Sequence, residues 1–296
     1  MNAAQPHWKD RPERGFAPVV RFMAWLSLTL GRRASRLILH PIAAYFLLFA
    51  PAARRASRAY LRRVLGRPPG VRDLYRHVLC FASVIHDRVY WLRNPRPPFQ
   101  FTVGGDRELT ELTATGRGIV FLGAHYGSFE ALRAFGDMRK LDLKMLMYPD
   151  NARRLMAVLT AIAPKMQQQI LTLGQPESIL RVRDHVAAGG SVGILADRAL
   201  ADGKSRALPF LGDAALFPTA PLQLAAMLRA PVVFMAGIYL GGNRYHLSFE
   251  TIADFAQPAE PQPTAQALAR YTALLERLCR QAPYNWFNFY DFWKTA

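Results

Sequence analysis

The sequence predicts an α/β fold: a largely parallel mixed sheet flanked by helices, preceded by an N-terminal hydrophobic helical membrane anchor. Three observations carry this prediction. Gly118 to Ala124 (GIVFLGA) is a short continuous apolar run between glycines, the pattern of a strand buried on both faces. Similar runs recur in alternation with segments of helical periodicity, which implies strands covered by helices. Ahead of them lie two apolar runs separated by a basic break.

Those two runs extend from Phe16 to Leu30 and from Leu37 to Ala50, on either side of Gly31-Arg32-Arg33-Ala34-Ser35-Arg36. A spanning helix needs about 20 apolar residues, so each run is short. Arg21 interrupts the first and Pro41 the second. An in-plane or re-entrant hairpin therefore competes with a single tilted span, and Trp25 and Tyr45 suit the headgroup zone in either case. Arg54, Arg55, Arg58, Arg62, Arg63 and Arg67 follow without a carboxylate, which fits an anionic leaflet. The competing reading is a buried helix pair followed by a solvated basic helix. The expected division is residues 1–70 as membrane-anchoring helices and residues 71–296 as an α/β domain.

Val71 to Leu92 carries apolar residues at helical spacing and stops at Asn94-Pro95 and Pro97-Pro98, a linker. His77 and His86 on this helix are read as packing residues. Asp87 directly follows His86, but adjacent helical positions diverge, so the pair is given no chemistry. Strands are then expected at Lys144 to Tyr148, Gln169 to Leu173, Ser191 to Ala196 and Val232 to Leu240. Helices are expected at Phe129 to Lys140, Ala152 to Ala163, Glu177 to Ala188 and Pro218 to Arg229. The turn signal Gly241-Gly242-Asn243 and the alternation from Tyr245 to Ile252 predict a hairpin ending in an exposed edge strand. A proline-rich loop over Gln257 to Pro263 leads to a helix from Thr264 to Arg280 and an aromatic tail.

A chain of 296 residues that is 51% hydrophobic can bury a sizeable core. Its formal charge of +17 calls for an acidic partner: anionic lipid, an acidic carrier protein or nucleic acid. Nucleic acid is disfavoured, because the basic residues are not interleaved with stacking aromatics. Cys80 and Cys279 sit in apolar helical stretches as inert packing thiols, which suggests a reducing compartment. No small-residue cleavage pattern follows the first apolar run, so no secretory signal is expected.

Candidate chemistry concentrates in Gly123-Ala124-His125-Tyr126-Gly127-Ser128-Phe129-Glu130, where a buried strand ends and a helix begins. Ligands of open α/β sheets bind beyond the carboxyl ends of strands. Glu130, in the first turn of the helix, is expected to turn back and bond one imidazole nitrogen of His125. The other nitrogen is then left to take a proton from a hydroxyl. Ser128 lacks the following glycine of a nucleophile elbow and is read as a helix cap. No metal is expected.

The His-x4-Glu placement at a strand–helix junction resembles the signature of the lipid A biosynthesis (late) acyltransferases, within the glycerolipid acyltransferase superfamily. Ser191 to Arg198, the run Pro209-Phe210-Leu211-Gly212 with Phe217-Pro218, and Ala230-Pro231-Val232-Val233 resemble further family segments in the same order. The tail Asn285 to Trp293 lacks the basic ending of many members, which suggests a divergent branch. The resemblance implies an O-acyltransferase with His125 as general base on an acceptor hydroxyl, assisted by Glu130, and with no acyl-enzyme. It implies no cofactor beyond an acyl thioester co-substrate, with acyl-carrier protein favoured over coenzyme A. The implied partners are acyl-carrier protein, anionic membrane lipids and a lipid acceptor, at the cytoplasmic face of the inner membrane.

Charge suggests that Arg198 binds a phosphate or phosphopantetheine, or else pairs with Asp197, Asp202 or Asp213. Asp197, Lys204, Arg206, Phe210, Gly212 and Phe217 complete the candidate substrate-binding set. Met145, Met147 and Met156 are candidates for an acyl groove, although apolar residues in such elements are more often core. A lipid esterase or thioesterase using the same pair, and a non-enzymatic anionic-lipid-binding protein, remain open at this point.

Overall fold

The computed structural model describes residues 17–93, 98–149, 168–199, 203–256 and 261–293. It opens with four helices. Helix α1 (Ala17–Ser35) is kinked at Gly31, whose φ of 74° and ψ of 163° leave helical space. A single 3-10 turn, Arg36–Ile38, leads into α2 (Leu39–Phe49). Helix α3 (Pro51–Leu65) starts on a proline and stops at Gly66, which takes the left-handed conformation. Helix α4 (Val71–Arg93) then runs across the body of the molecule.

Among the described residues no single helix is long and apolar enough to cross a membrane. Trp25–Phe49 and Pro51–Leu65 pass that test only together, with a bend of 95° between them. The two predicted apolar runs thus form a bent assembly. It is docked on α4 by the Arg32–Asp87 fork, with both contacts at 2.8 Å. His86 Nδ1 lies 3.4 Å from Asp87 Oδ1, so these neighbours do touch, contrary to the divergence expected of adjacent helical positions. Asp87 also accepts from the Tyr245 hydroxyl at 2.8 Å, and His86 Nε2 meets Ser35 Oγ at 2.7 Å, which makes the cluster part of how the helices are held.

The remaining elements are β1 (Gln100–Gly104), α5 (Asp106–Ala114), β2 (Val120–Gly123), α6 (Phe129–Met138), β3 (Leu143–Met147), β4 (Ile170–Thr172), α7 (Pro176–Ala187) and β5 (Ser191–Leu195). They continue with β6 (Ser205–Phe210), β7 (Asp213–Pro218), α8 (Ala220–Met227), β8 (Pro231–Gly241), β9 (Arg244–Asp254) and α9 (Pro263–Gln281). Seven strands form one sheet in the order β1-β9-β8-β2-β5-β3-β4. Every pairing is parallel except the β8–β9 hairpin.

The strands interdigitate two apolar layers through the alternation of side chains. Val120, Leu122, Val192, Ile194, Val232 and Phe234 face α9 and the tail. Ile119, Phe121, Val233 and Met235 face α6.

Two differences from expectation have physical causes. Strand β9 is interior, because β1 pairs along its outer side and becomes the edge; the proline-rich stretch before Gln100 masked that strand. The segment around Gly212, which by resemblance is a glycine-bearing loop, is here the turn of a separate hairpin of β6 and β7. Its two-residue turn has Leu211 at φ 54° and Gly212 at φ 93°, the left-handed pair that suits strand twist. The helix expected over 152–163 lies outside the described residues. Cys80 and Cys279 are free thiols, and burial pushes both upward in pKa.

Candidate active site

The site follows from strand register. Gly123 of β2 is paired with Leu195 of the neighbouring parallel strand β5, and the ladder runs one step further through Ala196 N to Gly123 O at 2.9 Å. Two residues beyond each member of that pair stand His125 and Asp197. They share a face at the carboxyl ends of adjacent central strands.

The loop carrying His125 is gripped from two sides. Gly127 takes φ 62°, and a Cβ there would lie 1.9 Å from the Gly237 carbonyl oxygen, so only glycine permits this approach to β8. Ser128 N donates to Gly237 O at 2.7 Å, and Ser128 Oγ caps α6 by accepting from Ala131 N at 3.1 Å, the capping role expected of it. From the other side the tail bonds the loop: Gly127 N donates to Asn285 O at 2.8 Å and Phe287 N to His125 O at 2.7 Å.

Asp197 is wholly buried and saturated with donors. His125 Nδ1 lies 2.8 Å from Oδ1, while the His125 amide and the Trp286 indole N–H reach Oδ2 at 3.1 and 3.0 Å. Burial alone would raise the Asp197 pKa. The charges of His125 and Arg198 and the bonds from His125 and Trp286 outweigh it and hold the carboxyl well below the usual range. An ionised carboxylate only accepts, so Nδ1 carries the imidazole proton and Nε2 presents a lone pair. With 32% of its side chain exposed, His125 is accessible to a substrate. Its pKa is lowered by burial and then by Arg198, against the opposing pull of Asp197; Arg88 lowers it further.

Glu130 is placed differently from the expectation. Its Oε1 lies 2.5 Å from Arg88 Nε on α4, and among the described residues Asp197 is the carboxylate within ion-pair distance of His125. The first turn of α6 faces α4, where Arg88 captures Glu130, while Asp197 has already taken Nδ1.

Arg198 donates to Phe287 O at 3.2 Å and lies over the Tyr290 ring at 5.4 Å. Lys204 and Arg206 are exposed on the β6–β7 hairpin, and Gly212 forms its turn. Phe210 and Phe217 are fully buried, 5.4 Å apart and packed on Phe292, so they are core and not the walls of an open groove. Met145 is buried, Met147 is half-buried, and Met156 lies outside the described residues.

Sequence reasoning missed Arg88 and Trp286 and gave Asp197 a different role. The available signal for Asp197 was its position: one carboxylate just past a buried strand, as His125 is just past another. Among the described residues no group of three or more His, Cys, Asp or Glu side chains is arranged to hold a metal ion.

The fold and site define an α/β protein with an accessible histidine, paired to a buried carboxylate, at the carboxyl ends of two central strands. The chain belongs to the bacterial lipid A biosynthesis acyltransferase family, whose model matches residues 10–295, and it is accordingly a lipid acyltransferase. No curated protein matches it. Among solved structures it is similar to the 1-acyl-sn-glycerophosphate (LPA) acyltransferase PlsC from Thermotoga maritima, at 11% identity and a TM-score of 0.38. That match covers 90% of this chain and 96% of the other.

Proposed function

We propose that the protein moves a fatty acyl chain from an acyl thioester, with acyl-carrier protein as the favoured donor, to a hydroxyl of a lipid acceptor at a membrane surface. The observation that supports this reading is the 2.8 Å pair between His125 Nδ1 and buried Asp197. Asp197 fixes the tautomer, and Nε2 takes the hydroxyl proton as the oxygen attacks the thioester carbonyl. The tetrahedral intermediate collapses, the C–S bond breaks, and the imidazolium returns its proton to the departing thiolate. The nucleophile is the acceptor itself, so no acyl-enzyme is needed. Asp197 replaces Glu130 as the partner of the base in this scheme, and Glu130 holds Arg88 beside it.

Membrane attachment is supported by exposed Leu37, Tyr45, Phe46, Leu48 and Phe49 around α2, and by exposed Arg55, Arg58 and Arg62 at helical spacing on α3. The free thiols favour the reducing, cytoplasmic face of the inner membrane.

The test is transfer of label from acyl-carrier protein to a total bacterial lipid extract by the wild type, His125→Ala and Asp197→Asn, at matched membrane content. A labelled lipid that disappears in both variants supports the reading. A product indifferent to His125, with acyl-coenzyme A also tried as donor, overturns it.

A further inference from the structure

Trp286 is the only tail side chain that donates to Asp197 among the described residues, through its indole N–H at 3.0 Å. It is 1% exposed and enclosed by Tyr60, Phe210, Phe292 and Trp293 at ring separations of 4.9 to 6.1 Å. Its carbonyl is held as well. His77 Nε2 lies 2.8 Å from Trp286 O, and Ser57 Oγ lies 2.7 Å from His77 Nδ1. A carbonyl only accepts, so His77 donates from Nε2 and receives the Ser57 hydroxyl proton at Nδ1. A continuous buried chain therefore runs from Ser57 on α3 through His77 on α4 to Trp286, Asp197 and His125. The residues flanking Trp286 bind the histidine loop at the same time, through Asn285 O and Phe287 N.

We propose that Trp286 is a positioning residue of the acyl-transfer centre: it orients the Asp197 carboxylate and limits the negative charge that His125 sees, and Ser57 and His77 set its place. This rests on the reading of His125 as the general base. Trp286 touches no reacting atom, so its effect passes through Asp197.

The test is Trp286→Phe, which keeps an aromatic ring and removes the N–H, compared with Phe292→Leu, which loosens the same cage. Loss of a donor leaves more charge on the carboxylate, so the imidazolium is better stabilised and the His125 pKa rises. Expected for Trp286→Phe is a fall in kcat of roughly tenfold or more at unchanged KM, with the acid limb of kcat/KM moved to higher pH. Phe292→Leu is expected to lower Tm without moving that limb. A Trp286→Phe enzyme whose limb stays in place, with kcat falling only as Tm does, overturns the proposal. If it fails to fold, Ser57→Ala tests the chain from its far end: reduced kcat at unchanged KM supports the proposal, and wild-type kinetics overturn it. His125→Ala and Asp197→Asn run alongside. If both retain full activity, the acyl-transfer reading itself fails; if both are inactive, only the role of Trp286 is at stake.

Discussion

Glu130 Oε1 lies 2.5 Å from Arg88 Nε across the seam between α6 and α4, and the histidine five residues earlier is paired instead with Asp197. The two carboxylates therefore have separable roles. Asp197→Asn replaces an acceptor of the Nδ1 proton with an amide that can impose the wrong tautomer, a change that costs about 10⁴-fold in kcat in a comparable pair. Glu130→Gln leaves that bond intact and is expected to cost about tenfold, through the unneutralised charge of Arg88. Steady-state kinetics of both variants on one acyl thioester and one acceptor would check the order; a larger loss in Glu130→Gln would restore Glu130 as the partner of the base.

Much of this architecture was legible in the sequence, and the exceptions share a cause. The apolar runs at Gly118 to Ala124, Ser191 to Ala196 and Val232 to Leu240 announced the central strands because burial on both faces demands continuous apolarity. His125 was legible because it ends one of them. Its partner was not, because the distance of 72 residues to Asp197 is closed only by the β2–β5 register, which a linear pattern does not encode. Glu130 stood closer in sequence and drew the assignment. Trp286 lay in an aromatic tail where seven of eleven residues are aromatic, so nothing singled out its one polar bond.

The rate should depend on pH through His125. The base must be neutral, so kcat/KM rises as pH climbs through its pKa, and burial with Arg198 sets that pKa below the ordinary histidine value. The acid limb is accordingly expected below about pH 6.5. Arg88 also lowers this pKa, so Arg88→Gln is expected to move the limb upward by a fraction of a unit. A kcat/KM profile over about pH 4.5 to 8, spanning the ordinary histidine value, reads both effects; a limb that stays in place in Arg88→Gln would show that its charge does not reach the base.

His77 gives stability a pH dependence of its own. It is fully buried, and burial pushes its pKa down from 6.5 to about 4, against the bond to Trp286 O. The folded protein binds the proton less readily than the unfolded chain. The contribution is therefore fully present above pH 6.5 and is lost progressively as pH falls toward 4, to a total of roughly 3 kcal/mol. Urea unfolding at pH 5 and pH 7 is expected to show a steeper loss in the wild type than in His77→Gln. Equal slopes would mean that His77 is protonated in the folded protein.

Asp87 joins the N-terminal helices to the rest of the molecule, and its loss should release them. The carboxylate is fully buried, takes the Arg32 fork at 2.8 Å, and has Arg36 at 3.7 Å and the Tyr245 hydroxyl at 2.8 Å. Arg32 also lies over the Phe99 ring at 4.9 Å, which adds a cation–π contact and covers one face of its guanidinium. Removing one member of a buried pair strands the other charge and typically costs about 3–5 kcal/mol, whereas replacing both by apolar groups of similar volume is often neutral. Asp87→Asn is thus expected to lower Tm by several degrees and to expose the chain near the Gly31 kink to protease. The double change Arg32→Met with Asp87→Leu should recover much of that stability, because Arg36 keeps the Tyr239 hydroxyl and His86 keeps Ser35, so that the Tyr245 hydroxyl bears most of the loss. If the double variant is less stable than Asp87→Asn alone, the charges themselves hold α1 and α2 in place, and an apolar seam cannot substitute for them.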